Sequence, residues 1–294
     1  MAVERTVRAV AVAVALFSIS AAARVRAETP PACAPLRLAQ QDALAHADPL
    51  ARTLTIGSLN MAGQPKIGEH IAAWTAQRGI DVLLLQEVGH SSIDGETFVA
   101  SLGERLGFHS VYAPADIVGG STQGLAILSR FPIEGARVLP LTYHHLRFKS
   151  RCRIALGATL RTPGGAIHLM NVHLDTRING KDRVAQLAPV LGALGGIDAP
   201  QLVGGDFNTM DARWVGTMFP LVYVERQSIV VREHLEANGF DTPFHGTQAT
   251  LKLIHLPIRL DWLYLKRLTP LDWNVDTVPL SDHRGIWARL APAE

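Results

Sequence analysis

At 294 residues, 48% hydrophobic and 18% charged, the chain has the composition of a folded globular protein, long enough for one large domain or two ordinary ones. This excludes a disordered, collagen-like or low-complexity chain. The formal charge of +2 arises in the first 27 residues, where Arg5, Arg8, Arg24 and Arg26 outnumber Glu4. The remainder holds 24 basic and 25 acidic residues, so it has no global pull toward nucleic acid, although a local basic patch stays open.

The N-terminus comes first. Arg5 and Arg8 precede an uncharged apolar run, Ala9–Ile19, followed by small residues and Val25-Arg26-Ala27. That order is the layout of a secretory signal, and the apolar run is short for a membrane span. Removal of residues 1–27 is expected, with cleavage after Ala22 or Ala23 as the alternative. An uncleaved N-terminal anchor is the competing reading. Either way the protein is expected to be exported, to the periplasm or outside the cell. Residues 28–52, rich in Pro and Ala, read as a leader or linker. Cys33 and Cys152 are the two cysteines; an oxidising compartment permits a bridge between them, and neither sits in a metal or redox spacing.

From Thr53 the chain alternates strand-like and helix-like stretches, a single domain over 53–294. Strands are expected at Thr53–Leu59, Val82–Gln86, Leu125–Ser129, Ala155–Arg161, Ile167–Leu174, Gln201–Gly204, Asp261–Lys266 and Gly285–Leu290. The turn Thr162-Pro163-Gly164-Gly165 joins two of them as a hairpin. Helices are expected over Gly68–Arg78, Asp182–Leu194 and Val231–Asn238. Mixed strands, helices and hairpins suggest an α/β sandwich.

The polar residues that carry chemistry stand where apolar runs stop: Asn60, Gln86-Glu87, His173 and Asp175, Asp206 and Asn208, and Ser281-Asp282-His283. Strand ends at one sheet edge can converge on one site. Asp261 interrupts the apolar run Leu260-Asp261-Trp262-Leu263, a costly position unless it is paired. Carboxylates of this kind are hard oxygen ligands suited to Mg²⁺, Mn²⁺ or Ca²⁺. Two histidines offer acid–base or oxyanion chemistry, and the asparagines orient phosphate, metal or water. The inventory fits metal-assisted hydrolysis of a phosphate ester.

Seven ordered blocks then resemble the endonuclease/exonuclease/phosphatase superfamily, the DNase I-like fold. They are Ser58-Leu59-Asn60, Leu84-Leu85-Gln86-Glu87, Gly124–Arg130, Asn171-Val172-His173-Leu174, Gly205-Asp206-Phe207-Asn208, Arg259-Leu260-Asp261-Trp262 and Ser281-Asp282-His283. The resemblance spans about Thr53 to Leu290. It implies a four-layer α/β/β/α sandwich of two packed mixed sheets, and a monomer is expected. It implies Glu87 as principal metal ligand, with Asn60 near metal and phosphate and Asp282 binding metal or holding the site. Asp206 would orient or deprotonate the attacking water, and Asn208 would contact the phosphate. His283 would contact phosphoryl oxygens or serve as acid–base, and His173 would contact phosphate or assist the leaving side, with Asp261 supporting the network. Asp175 and Arg153 are weaker candidates behind or beside these groups, as is Arg151. Arg183 and Gln186, three residues apart on one helix face, are expected to be structural.

The blocks leave the substrate open. Nucleic acid follows from the DNase-like pattern and is weakened by the near-neutral mature charge. A phospholipid head group or small phosphorylated molecule is favoured by export and by the apolar stretches Phe219–Val224 and Leu251–Ile258, which also raise contact with a membrane surface. A non-catalytic binding protein on the same fold is opposed by the full set of polar blocks.

Overall fold

The structure, a computed structural model, describes residues 37–43, 53–89, 94–118, 121–146, 150–222, 224–246, 248–252 and 258–293. The proposed signal segment, Cys33 and most of Leu251–Ile258 lie outside the described residues, and with them the expected Cys33–Cys152 pairing.

In chain order the elements are β1 (Ala39–Gln41), β2 (Leu54–Asn60), α1 (Gly68–Arg78), β3 (Val82–Val88), α2 (Gly95–Leu106), β4 (His109–Val118) and β5 (Ser121–Ser129). Next come β6 (Ile133–Pro140), β7 (Ile154–Thr162), β8 (Gly165–His173), α3 (Gly180–Leu194), β9 (Gln201–Asp206), β10 (Ala212–Val215) and β11 (Phe219–Val222). The last are α4 (Gln227–Glu236), β12 (Asp261–Lys266), β13 (Leu268–Asp276) and β14 (Gly285–Pro292).

One sheet has the order β1-β4-β5-β3-β2-β14-β13, the other β12-β9-β8-β7-β6, and β10-β11 stand apart as a hairpin. Each large sheet is mixed: β2 and β3 run parallel, as do β8 and β9, while the remaining pairs are antiparallel. These central strands are buried along nearly their whole length, as strands covered on both faces must be.

Alternation along β2 and β3 sorts their side chains into two cores. Leu54, Ile56, Val82 and Leu84 meet Leu156, Leu169, Val203 and Leu263 between the sheets. Leu59, Leu83 and Leu85 face outward, where Ile71 and Trp74 of α1 and Phe98 and Leu102 of α2 cover them. Leu187 and Val190 of α3 and Val231 and Leu235 of α4 pack on the second sheet. Helix, sheet, sheet, helix is the expected four-layer arrangement.

Differences fall where the local pattern is weak. Ala39–Gln41, inside the segment read as a leader, pairs with β4 as an edge strand; three residues with two exposed carry no burial signal. Strands β6 and β13 were not expected either, because most of their residues are at least partly exposed and lack a clean apolar alternation. Helix α2 was also not expected, although Phe98, Val99 and Leu102 have helical spacing and Asp94 caps its N-terminus by accepting from the Thr97 amide at 3.1 Å.

Candidate active site

The site begins with a β-bulge. Along β3 and β5, Leu85 faces Ala126 but Val88 faces Gly124, so Gln86 and Glu87 together oppose Leu125. Glu87 takes a left-handed backbone conformation there, φ 53°. The bulge breaks the ladder, and the freed carbonyls of Leu85 and Ala126 both accept from Asn171 Nδ2 of the facing sheet at 2.9 Å. Gln86 turns inward and donates to Asn171 Oδ1 at 2.8 Å and Ser58 Oγ at 3.2 Å. Glu87 is thereby left facing the cleft. A side chain from one sheet repairs the defect in the other, and the repair aims the carboxylate.

Asn60, at the end of β2, donates through Nδ2 to Glu87 Oε1 at 3.2 Å and Asp206 Oδ2 at 2.9 Å. Its backbone carbonyl accepts from Ser281 Oγ at 2.6 Å, and Ser281 Oγ in turn receives the His283 amide at 2.9 Å. The loop carrying His283 is thus fastened to β2.

Asp206 ends β9 directly opposite Asp261 of β12. The preceding Gly205 has φ 134°, and a Cβ on it would stand 2.1 Å from the Val172 carbonyl, so only glycine lets β8 and β9 close here. Asn208, at φ 53°, donates its amide N–H to Asp206 Oδ1 at 2.8 Å and its Nδ2 to the Leu174 carbonyl at 2.9 Å. Asp261 accepts from, or shares a proton with, His283 Nδ1 through Oδ2 at 2.9 Å. The pairing expected for a carboxylate inside an apolar strand is present. His283 Nε2 lies 3.9 Å from Asp206 Oδ2, and His173 Nε2 lies 3.5 Å from the same oxygen and 3.8 Å from Glu87 Oε1.

These groups polarise one another. Burial, then the charge of Asp261, raises Asp206 to about 7, against the pull of His283, Asn60 and the Asn208 amide. Burial works against a charged His283, but the charge and hydrogen bond of Asp261 outweigh it and raise the imidazole to about 10. His173 is driven the other way, well below its ordinary value, by burial and then by Arg153, His283 and Arg151. One carboxylate therefore stands between a cationic and a neutral imidazole.

The opposite wall is cationic. Gln123 Nε2 donates to Glu87 Oε2 at 3.0 Å, and Arg151 Nη1 donates to Gln123 Oε1 at 2.6 Å. Arg153 Nε donates to Asp175 Oδ1 at 3.1 Å. Asp175 is buried behind the wall, held by Gln186 at 2.8 Å through its carboxylate and 3.0 Å through its amide. Arg183, fully buried in α3, donates to the carbonyls of Asp175, Thr176 and Phe207 and so ties the loops after β8 and β9 together. The helix-face pair Arg183 and Gln186 is structural, as expected, but what it structures is the site.

The structure thus brings together Asn60, Glu87, His173, Asp206, Asn208, Asp261 and His283, with Arg153 and Asp175 beside them. Asp282 is different: its side chain is exposed, and it reaches the group through its charge on His283 rather than through a hydrogen bond. Gln123 was not foreseen; an isolated Gln before Gly124 carries no sequence signal, and only the bulge brings it to Glu87. Among the described residues, ligand atoms of Asp206, Asp261 and His283 lie within 4.8 Å of one another. Asp261 Oδ2 and His283 Nδ1 are already engaged with each other, however, while the Glu87 side chain keeps 27% of its surface open to the cleft. Glu87 is therefore the better seat for a hard divalent ion, which takes oxygen donors and keeps waters, with Asn60 beside it turning Nδ2 to Glu87 and Asp206 and Oδ1 to the Ala62 amide at 2.9 Å.

Similarity to known proteins follows the same lines. The family model described as Endonuclease/Exonuclease/phosphatase family matches residues 57–283. A protein of that description from Beutenbergia cavernae superposes with TM-score 0.62 at 20% identity, covering 83% of this chain and 72% of its own. The human Nocturnin catalytic domain with bound sulfate anion gives 0.61 at 18%, covering 87% and 98%. Humanized D. rerio TDP2 gives 0.54 at 19%, covering 82% and 99%. No curated protein matches the chain. With the family model matched over most of its length and the two-sheet frame in place, this chain belongs to the endonuclease/exonuclease/phosphatase family.

Proposed function

We propose that this protein is an exported, divalent-metal-dependent hydrolase of phosphodiester or phosphomonoester bonds. The observation that carries the reading is Asp206 placed 3.5 Å from His173 Nε2 and 3.9 Å from the Asp261-held His283 Nε2. A buried carboxylate raised to about 7 is matched to taking a proton from water near neutral pH. Asp206 orients a water and accepts its proton as the oxygen attacks phosphorus and the bond to the leaving oxygen breaks. His283, kept protonated by Asp261, donates through Nε2 to a phosphoryl oxygen and stabilises the charge that develops there. Neutral His173 positions a phosphoryl oxygen or the leaving group. Asn60 and Asn208 hold Asp206 in place.

Glu87 would hold Mg²⁺ or Mn²⁺, with Asn60 beside it and Ca²⁺ an alternative; when bound, the ion would neutralise phosphoryl charge and polarise the ester. A panel of DNA, RNA, phospholipids, inositol phosphates and bis-p-nitrophenyl phosphate, each with several divalent ions, tests the reading. Metal-dependent release from at least one ester, lost in Glu87→Gln and His283→Ala, is expected. Robust activity retained by both variants would sink the assignment.

A phospholipid substrate has one specific observation in its favour. Val215, Phe219 and Leu221 of the β10-β11 hairpin, with Val224 after it, are exposed apolar residues. Liposome co-sedimentation coupled to head-group release separates this from nucleic-acid cleavage. Export is tested by sequencing the N-terminus of the mature protein, expected to begin at Glu28.

A further inference from the structure

Behind Glu87 and His173 lies a cavity of about 20 Å³, also lined by Gln123, Arg151 and Arg153, with Leu125 and Ile154 among its apolar lining. That volume admits little more than one water-sized group. An oxygen of a phosphoryl group fits; a sugar, a base or a continuing chain does not.

Arg153 is the residue built for such an oxygen. It is nine-tenths buried, and its guanidinium is held from behind through Nε by Asp175, itself clamped by Gln186. Neither Nη group has a hydrogen-bond partner among the described residues. Arg153 lines the cavity, so its Nη groups are open donors that an anion there can complete. Its planar fork suits phosphoryl oxygens. On the same wall Gln123 donates to Glu87 and accepts from Arg151, while Arg153 is anchored through Nε alone.

We propose that Arg153 forms an oxyanion subsite which selects a terminal phosphate, a phosphomonoester group with its extra oxygen and extra charge, over a diester. The proposal rests on the phosphoesterase reading and narrows its substrate class. A diester phosphoryl group has two non-bridging oxygens, and the His283 and metal side can serve both. A terminal phosphate has a third, and the cavity beside Glu87 receives it while Arg153 balances its charge.

The test is calorimetric and needs no turnover. Inorganic phosphate and dimethyl phosphate are titrated into the full mature chain with saturating Mg²⁺, for wild type, Arg153→Gln and Arg153→Lys, with thermal melts alongside. Wild type is expected to bind phosphate at least about tenfold more tightly than dimethyl phosphate, the scale of a charge-assisted fork. Arg153→Gln should lose about tenfold on phosphate and less than about twofold on dimethyl phosphate. Arg153→Lys, which keeps the charge but not the fork, should fall between. No preference in wild type, or a preference that survives in a folded Arg153→Gln, overturns the proposal. If Arg153→Gln does not fold, an unchanged preference in Arg153→Lys overturns it, and a reduced one supports it. A protein that hydrolyses no ester yet shows the Arg153-dependent preference would refute the catalytic reading and leave the subsite standing.

Discussion

On one wall of the cleft, Asp206, Asp261 and His283 are almost sealed from solvent, with Asp261 bonded to His283 and Asp206 held by Asn60 and the Asn208 amide. On the other, Glu87 and Arg151 stay partly open, and Arg153 keeps two donor groups unspent. Burial on the first wall separates the proton affinities of neighbouring groups, which is what acid–base work needs. Openness on the second leaves donors and oxygens for a metal ion and an anion. The catalytic reading needs both walls, and each can be removed without the other.

Removing one group from each wall should have the largest effect. Glu87→Gln and His283→Ala are each expected to lower kcat on bis-p-nitrophenyl phosphate by about a thousandfold. They should differ in stability. His283→Ala leaves Asp261 buried without its partner and should cost about 3–5 kcal/mol in urea unfolding, whereas Glu87→Gln should change little. Equal destabilisation would erase the contrast between the walls.

Asp206→Asn should cost about a hundredfold or more in kcat while raising the thermal midpoint by about 2–6 °C above pH 7. The sign follows from the raised value of Asp206. Between the unfolded value of 3.8 and the folded value of about 7 the folded state binds more protons, so rising pH destabilises it through this group. Removing the charge removes that cost. In the wild type, kcat/KM should climb with pH to a plateau above about 7 and decline near 10 as His283 loses its proton. A profile flat from about pH 5 to about pH 9 would dismiss Asp206 as the base.

Asn171→Ala should act on the aim of Glu87 rather than on chemistry. It removes the donor from the Leu85 and Ala126 carbonyls, a loss of about 2–3 kcal/mol in stability and roughly tenfold in kcat, with a raised Mg²⁺ requirement. The smallest effect is expected at Asp282. Exposed and outside the hydrogen-bond network, Asp282→Asn should change kcat by less than about threefold, since surface charges are screened. A hundredfold loss would instead make it a metal ligand.

Much of this was legible in the chain. The apolar runs of β2, β3, β8, β9, β12 and β14 end on polar residues, and a strand that stops at a sheet edge must deliver its last side chain there. Asp261 announced a partner because an unpaired carboxylate in an apolar strand is too costly to keep. Those features are local, so the sequence by itself determined the sandwich, the strand ends and the identity of the residues on the sealed wall. Tertiary structure alone decided the rest. Asn171 repairing a bulge in the opposite sheet, Gln123 meeting Glu87 and Arg153 held from behind by Asp175 join residues 85, 36 and 22 positions apart. Exposure of Asp282 beside buried His283 depends on which way one loop turns. No short-range pattern encodes such contacts, because their energy exists only once both sheets have packed.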